Sequence, residues 1–163
     1  MSESGVLFIV SSPSGGGKTT LIREVISRLA ARGIRAHFSV SHTTRLKRPA
    51  ETDGIDYHFV DRAAFEAMVQ RGQFLEWAEF GCNLYGTPAE FVEQKLAQGI
   101  SVVLCLDGRG VKQLRKIYPG RILTIFIIPP SLAELKTRIT RRAPTTSTQE
   151  LTQRLMVAKK ELS

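Results

Sequence analysis

Cysteine is scarce in this chain. Cys82 and Cys105 are its only two among 163 residues, and their separation matches neither a redox C-x-x-C motif nor a metal-ligand spacing. Acidic residues are also in short supply, 15 against 23 basic ones, which leaves a net charge of +8 and a pI near 9.9. Such a surface suits an anionic partner: nucleotides, nucleic acid or acidic lipid, with a merely soluble basic surface as the plain alternative. Nucleic acid has only the net charge behind it, because aromatic residues do not interleave with the basic ones. Long apolar runs are missing too. VLFIV, residues 6–10, is too short to span a bilayer, lacks a basic flank, and meets a glycine-rich turn at once. Neither a signal peptide nor a membrane partner is expected, and a reducing cytoplasm is the natural compartment. No internal repeat or low-complexity tract occurs. What remains is one domain's length of chain, 42% hydrophobic, enough to bury a single core.

Val6 to Val10 reads as a buried strand bounded by turn residues. From Lys18 to Arg32, Leu21, Ile22, Val25, Ile26 and Leu29 form one helical stripe, which Gly33 ends. Ala36 to Ser41 suggests a second strand, followed by the polar, turn-rich HTTRLKRPAETDGIDYHF. Asp61 can cap a helix over 62–71 that Gly72 closes. FLEWAEF, 74–80, alternates as a half-buried strand; GCNLYGTP reads as another turn, and PAEFVEQKLAQG as an amphipathic helix. SVVLCLD (101–107) is a buried strand, GVKQLRKIY a short helix, and ILTIFII (122–128) a third strong apolar run. Ser131 caps LAELKTRITRR, and Ser147 with Glu150 forms a capping box for the last helix. Apolar runs alternating with helices predict an α/β fold with a parallel sheet wrapped by helices.

The chemistry begins at SSPSGGGKTT, residues 11–20, between the first strand and the first helix. It follows the phosphate-binding pattern G-x-x-x-x-G-K-[ST], with Ser12 at the first glycine. Ser12, Pro13 and Ser14 lead into Gly15, Gly16 and Gly17, which permit positive φ and let backbone N–H groups converge on a phosphate. Those amides lie at the positive end of the following helix. Lys18 adds a point charge for the β- and γ-phosphates, Thr19 a hydroxyl for Mg²⁺, and Thr20 continues the loop into the helix. Ser12 is compatible with this if its φ is negative. A nucleoside triphosphate site follows; the acceptor does not.

SVSHTTRLKRPAETDGIDYHFV, 39–60, resembles the guanylate kinase pattern S-x-S-x-T-T-R-x-P-R-x-G-E-x-x-G-x-D-Y-x-F-V. FLEWAEF with NLYGTP, 74–88, is similar to that family's next signature, and the loop and PPSLAELKTRI fall in family order. The resemblance covers essentially the whole chain. It implies an α/β nucleoside monophosphate kinase core (1–35 and 91–137), a mixed α/β GMP-binding insertion at about 36–90, and a helical lid at about 138–154. Its activity would be transfer of the γ-phosphate of Mg-ATP to GMP or dGMP, giving GDP or dGDP in purine nucleotide metabolism. Arg45 and Arg48 can clamp a phosphate bidentately, and Tyr57 and Tyr85 can donate hydroxyls to the same oxygens. Guanine presents two donors, N1–H and an amine, which a carboxylate fits; by resemblance that is Glu76, with Ser41 and Thr87 on the O6 and N7 side. Asp107 joins the acceptor set by resemblance, and Arg138, Arg142 and Arg154 correspond to the lid arginines. Catalysis would use Lys18, Arg45 and those three arginines for alignment and charge, with no acid–base triad.

The chain departs from the family pattern at Ser12, at Lys47 and Ala50, at Cys105 and Arg109 within CLDGRG (where D-x-D-x-Q-G is typical), and at TTSTQE in the lid. The resemblance also implies a further strand and helix, with an Asn-Asp stretch near adenine, after AKKELS. Two other readings stand beside the enzyme: a non-catalytic module that binds a phosphorylated partner at Arg45, Arg48 and Tyr57, and a kinase for another monophosphate. Intact Lys18-Thr19 speaks against the module, and Glu76 with Ser41 against a different base. A monomer and a homodimer are equally compatible with the sequence.

Overall fold

The computed structural model describes residues 5–13, 15–106, 108–142 and 147–162, with only the backbone of Arg109 and Arg142. The chain alternates β1 (Leu7–Ser11), α1 (Lys18–Ala30) and β2 (Ala36–Phe38), then runs through β3 (His42–Thr43), β4 (His58–Phe59), α2 (Arg62–Gln70), β5 (Phe74–Phe80) and β6 (Asn83–Pro88). It returns through α3 (Ala89–Ala97), β7 (Ser101–Cys105), α4 (Gly108–Ile117) and β8 (Ile122–Phe126), and ends in α5 (Leu132–Arg142) and α6 (Thr148–Glu161).

Two sheets result. The first, in the order β2-β7-β1-β8, is wholly parallel. Its faces follow from strand alternation: Leu7 and Ile9 of β1 pack with Val102 and Leu104 of β7 against Val92, Leu96, Val111 and Leu114 of α3 and α4. Val10 and Val103 point the other way, toward Ile22 of α1. Apolar side chains on both faces are what a helix-covered parallel sheet requires. Burying each large one contributes about 1.5–3 kcal/mol. The second sheet, β4-β3-β6-β5, is mixed: β3 and β4 are parallel, while β6 is antiparallel to both β3 and β5. The α/β class expected from the sequence is therefore the observed one. Among the described residues no helix is long and apolar enough to cross a membrane.

Several local expectations need correction. NLYGTP is not a turn but β6, paired with β5 through the two-residue turn Gly81-Cys82, in which Gly81 has φ 63°. Asn, Gly and Pro disguised it. Gly86 is needed there because the Phe65 and Phe74 rings, stacked 4.6 Å apart, lie against its backbone. The strand expected over 36–41 stops at Phe38, since the chain then leaves the first sheet for the second. On α1, Ile22 is buried but Leu21 and Val25 remain 48% and 42% exposed, so the packed stripe is narrower than the sequence pattern. The run at 122–128 supplies β8 at the sheet edge, where Leu123 and Ile125 are about half exposed. The caps at Asp61, Ser131 and Ser147 form, each side chain accepting an N–H three residues on, while the Glu150 carboxylate of the expected capping box accepts from Arg154.

Histidine packing supports the second sheet's register. His42 of β3 lies opposite His58 of β4 with ring centroids 4.6 Å apart. Burial first, and His58 next, lower the pKa of His42 to about 4 against the opposing pull of Asp53. Its ring is therefore neutral at ordinary pH.

Gly86→Ala should destabilise the second sheet. A Cβ at this position would sit 2.9 Å from Phe74 and 3.0 Å from Phe65, and overpacking of this kind costs about 1–3 kcal/mol. Denaturant melts should report that loss; an unchanged midpoint would show that the aromatic pair yields freely.

Candidate functional site

Two polar centres lie at the strand ends. The first is the glycine-rich loop leaving β1. Gly15 and Gly17 take φ values of 83° and 85°, and Gly17 caps α1 without any side-chain hydrogen bond. The helix thus begins with backbone amides and its positive dipole end, the usual setting for an anion. Ser12 is accommodated because no described non-glycine residue has positive φ. Its Oγ occupies the space a Gly16 Cβ would need, 1.7 Å away, so a side chain at 16 would have to displace the Ser12 hydroxyl. The Lys18 ammonium donates to the carbonyls of Ser12 and, at 3.3 Å, of Pro13. Thr19 and Thr20 stand in the first turn of α1. Ser14 lies outside the described residues.

Helix α5 is packed onto this loop. A Cβ on Gly15 would lie 3.0 Å from Cγ1 of Ile139, which is only 3% exposed. One residue earlier, Arg138 brings an NH1 to 3.7 Å from the Cβ position of Gly17 while its Nε donates to Glu134 at 2.7 Å. Arg154, on α6, donates to Glu150 at 2.5 Å. The side chain of Arg142 lies outside the described residues.

The second centre is built on the second sheet. Arg45 follows β3, and its NH2 donates to both carboxylate oxygens of Glu51, at 2.8 and 2.9 Å. Its guanidinium carbon lies 5.6 Å from the ring centres of both Tyr57 and Phe59. Arg48 meets the same carboxylate through its backbone N–H at 3.0 Å and its NH1 at 3.5 Å. Tyr57 and Tyr85 meet edge to face at 5.8 Å. Glu76 and Thr87 are cross-strand neighbours on β5 and β6, and the buried Thr87 hydroxyl donates to Glu76 Oε1 at 2.6 Å. Tyr85, two residues before Thr87, shares its face of β6. Ser41 precedes β3, and its carbonyl accepts from His58, the residue after Tyr57. Asp107 lies outside the described residues.

Glu51 was absent from the sequence-derived site. It is 7% exposed and joins both arginines, so neither is a free surface cation. Burial alone would raise its pKa, but the Arg48 N–H and the Arg45 guanidinium outweigh that and hold it below its ordinary value. The signal was available as the acid in R-x-x-R-x-x-E, but a lone Glu in a polar loop reads as solvated. Chemically, the first centre offers amides and a lysine to a phosphate chain. The second offers a fixed pair of arginines, two tyrosines and a buried carboxylate to an anion joined to a hydrogen-bond-donating ring. The two connect through β7: Cys105 lies opposite Val10 of β1, and α4, which follows, touches Glu76 at Gly110.

A sequence model of the guanylate kinase family matches residues 4–163. The guanylate kinase of Alcanivorax borkumensis is 44% identical over 163 residues, covering 100% of this chain and 76% of that protein. That of Rhodopseudomonas palustris strain HaA2 is 49% identical over 139 residues, or 85% of this chain and 61% of its own length. Among solved structures, guanylate kinase from Anaplasma phagocytophilum superposes with a TM-score of 0.71 at 32% identity, covering 98% of this chain and 71% of that one. The chain thus spans roughly three fifths to three quarters of these relatives' lengths.

A depressed carboxyl pKa stabilises the fold above the unfolded value, and that stability is lost as pH falls through the folded value. Glu51→Gln should therefore cost about 1–3 kcal/mol near neutrality. The gap to wild type should shrink as pH falls below about 4.5, the ordinary carboxyl value. Thermal melts from pH 7 to pH 3.5 test this; a pH-independent gap would rule out the carboxylate charge as its source.

Proposed function

The chain belongs to the guanylate kinase family, and on that premise we propose that it transfers the γ-phosphate of Mg-ATP to GMP or dGMP, giving GDP or dGDP, in a reducing cytoplasm. The observation that carries this reading is the buried Glu76–Thr87 pair on the same sheet as the Arg45–Glu51–Arg48 cluster. The Glu76 carboxylate, oriented by the Thr87 hydroxyl on Oε1, is the acceptor chemistry that the N1–H and amino group of guanine require. The tethered arginines and Tyr57 and Tyr85 take the 5′-phosphate. Ser41 and Thr87 read the O6 and N7 side, and Asp107 completes the acceptor site. The domain division follows: residues 36–90 hold the acceptor, and 138–154 form the lid over a core that binds ATP.

In the reaction a phosphate oxygen of GMP forms a bond to the γ-phosphorus as the bond to the β-phosphate oxygen breaks, and ADP leaves. The protein's contribution is alignment and charge. Residues 12–20 cradle the triphosphate, Lys18 stays with the moving phosphoryl group, and Arg45 holds the nucleophile. Arg138, Arg142 and Arg154 neutralise charge from the lid side. The Thr19 hydroxyl, beside Lys18, is a hard oxygen donor that would hold Mg²⁺, whose charge would offset that of the phosphates. Among the described residues no group of three or more His, Cys, Asp or Glu could hold a metal.

ADP release with GMP, dGMP, AMP, CMP and UMP as acceptors tests the reading. GMP and dGMP should be preferred, and Lys18→Ala should lower kcat/KM by about 10²-fold or more. Glu76→Ala should narrow the preference for GMP over AMP by about 10- to 100-fold while leaving the KM for ATP unchanged. Binding of GMP without turnover would favour the non-catalytic module, and preference for AMP, CMP or UMP a kinase for another base.

A further inference from the structure

Gly110 lies in the first turn of α4 and is buried. A Cβ built there would lie 3.0 Å from Oε2 of Glu76 and 3.3 Å from both Cβ and Cδ1 of Leu106. The carboxylate can give only a few tenths of an ångström: Glu76 is 6% exposed, and its other oxygen accepts from Thr87, itself fully buried, at 2.6 Å. Leu106, on the other flank, is 9% exposed and belongs to the core that includes Leu104 and Val111. A methyl group at 110 would be caught between a fixed carboxylate and a packed leucine. Gly108, in the same turn, is different, because a Cβ there would meet nothing within 4 Å.

We propose that Gly110 is a specificity-determining positioning residue: the missing side chain on α4 sets the depth of the Glu76 carboxylate, and with it the selection of the acceptor's base. The proposal rests on the reading of Glu76 as the group that recognises guanine. Glu76 belongs to the second sheet, whereas Gly110 belongs to the helix after β7 of the first, so the base-reading carboxylate is located by both halves of the molecule. Displacing it by a few tenths of an ångström would disturb hydrogen bonds to the ring while leaving the phosphate fork and the ATP loop in place. Alanine is also the better helix former, so the expected functional loss runs against any stability change from helix propensity.

The test compares wild type, Gly110→Ala and Gly108→Ala with GMP, with IMP (which lacks the 2-amino group) and with AMP. Gly110→Ala should narrow the GMP-to-IMP ratio of kcat/KM several-fold to about tenfold, chiefly through the KM for GMP, with the KM for ATP retained. Gly108→Ala should keep the wild-type ratio. Adding Glu76→Asp to Gly110→Ala withdraws the carboxylate from the methyl, so the double variant should lose less than the product of the two single losses. A wild-type chain with no preference for GMP over IMP and AMP overturns both the guanine reading and this inference. A GMP-preferring wild type whose ratio survives Gly110→Ala overturns this inference alone. So does a folding failure of Gly110→Ala that Glu76→Asp does not repair, since the glycine would then serve only packing against Leu106.

Discussion

The arrangement depends on a tight glycine turn. The loop from Ser12 to Gly17 is held by the Ser12 Oγ in the space of a Gly16 Cβ, by Ile139 and Leu135 of α5 against Gly15, and by Lys18 bonded back to the loop's own carbonyls. These contacts locate the end of β1, the start of α1 and helix α5 relative to one another. Arg138 inherits its place from that packing, because the next residue, Ile139, is buried against the loop. Since β1 lies between β7 and β8, its end also fixes where β7 ends and α4 begins, and α4 carries Gly110 to Glu76. The glycine-rich loop thus leaves the end of a parallel-sheet strand, the position at which open α/β sheets bind ligands, and the second sheet is joined to it through α4.

Most of the first sheet was legible because its signals are local. A buried strand, a glycine turn and an amphipathic helix need only a dozen residues of context, and the caps at Asp61, Ser131 and Ser147 need four. The second sheet was harder. β3 and β4 have two residues each, too few to display a period, and β6 reads as a turn because of Asn83, Gly86 and Pro88. The reason for Gly86 lies in Phe65 and Phe74, up to 21 residues away, where no window reaches. The candidate binding residues themselves entered through family blocks, since a single tyrosine or arginine carries no signature. Glu51 and Gly110 escaped for opposite reasons: one is a charge whose burial arises from partners within its own loop, the other a glycine whose meaning lies in a carboxylate from another strand.

The arginines assigned to phosphate in the proposed reaction differ in how firmly they are tethered. Arg138–Glu134 and Arg154–Glu150 are i,i+4 pairs with partly exposed side chains, 40%/42% and 20%/48%. Such pairs are worth only about 0.3–0.5 kcal/mol, so a phosphate group can take the guanidinium from its carboxylate at little cost. Arg45 is different. Its partner Glu51 is 6% exposed in the side chain, accepts from a backbone N–H as well, and is shared with Arg48. Breaking that pair would strand a buried charge, which is strongly unfavourable. The same residue type thus provides two mechanical behaviours. On the acceptor side the cations are fixed before the ligand arrives, which lowers the ordering cost of binding. On α5 and α6 they can be re-aimed, and in the proposed reaction their attraction to the triphosphate would draw them toward it. A reaction that must bring two anions together benefits from this asymmetry, because only the movable set has to follow the charge as it passes from donor to acceptor.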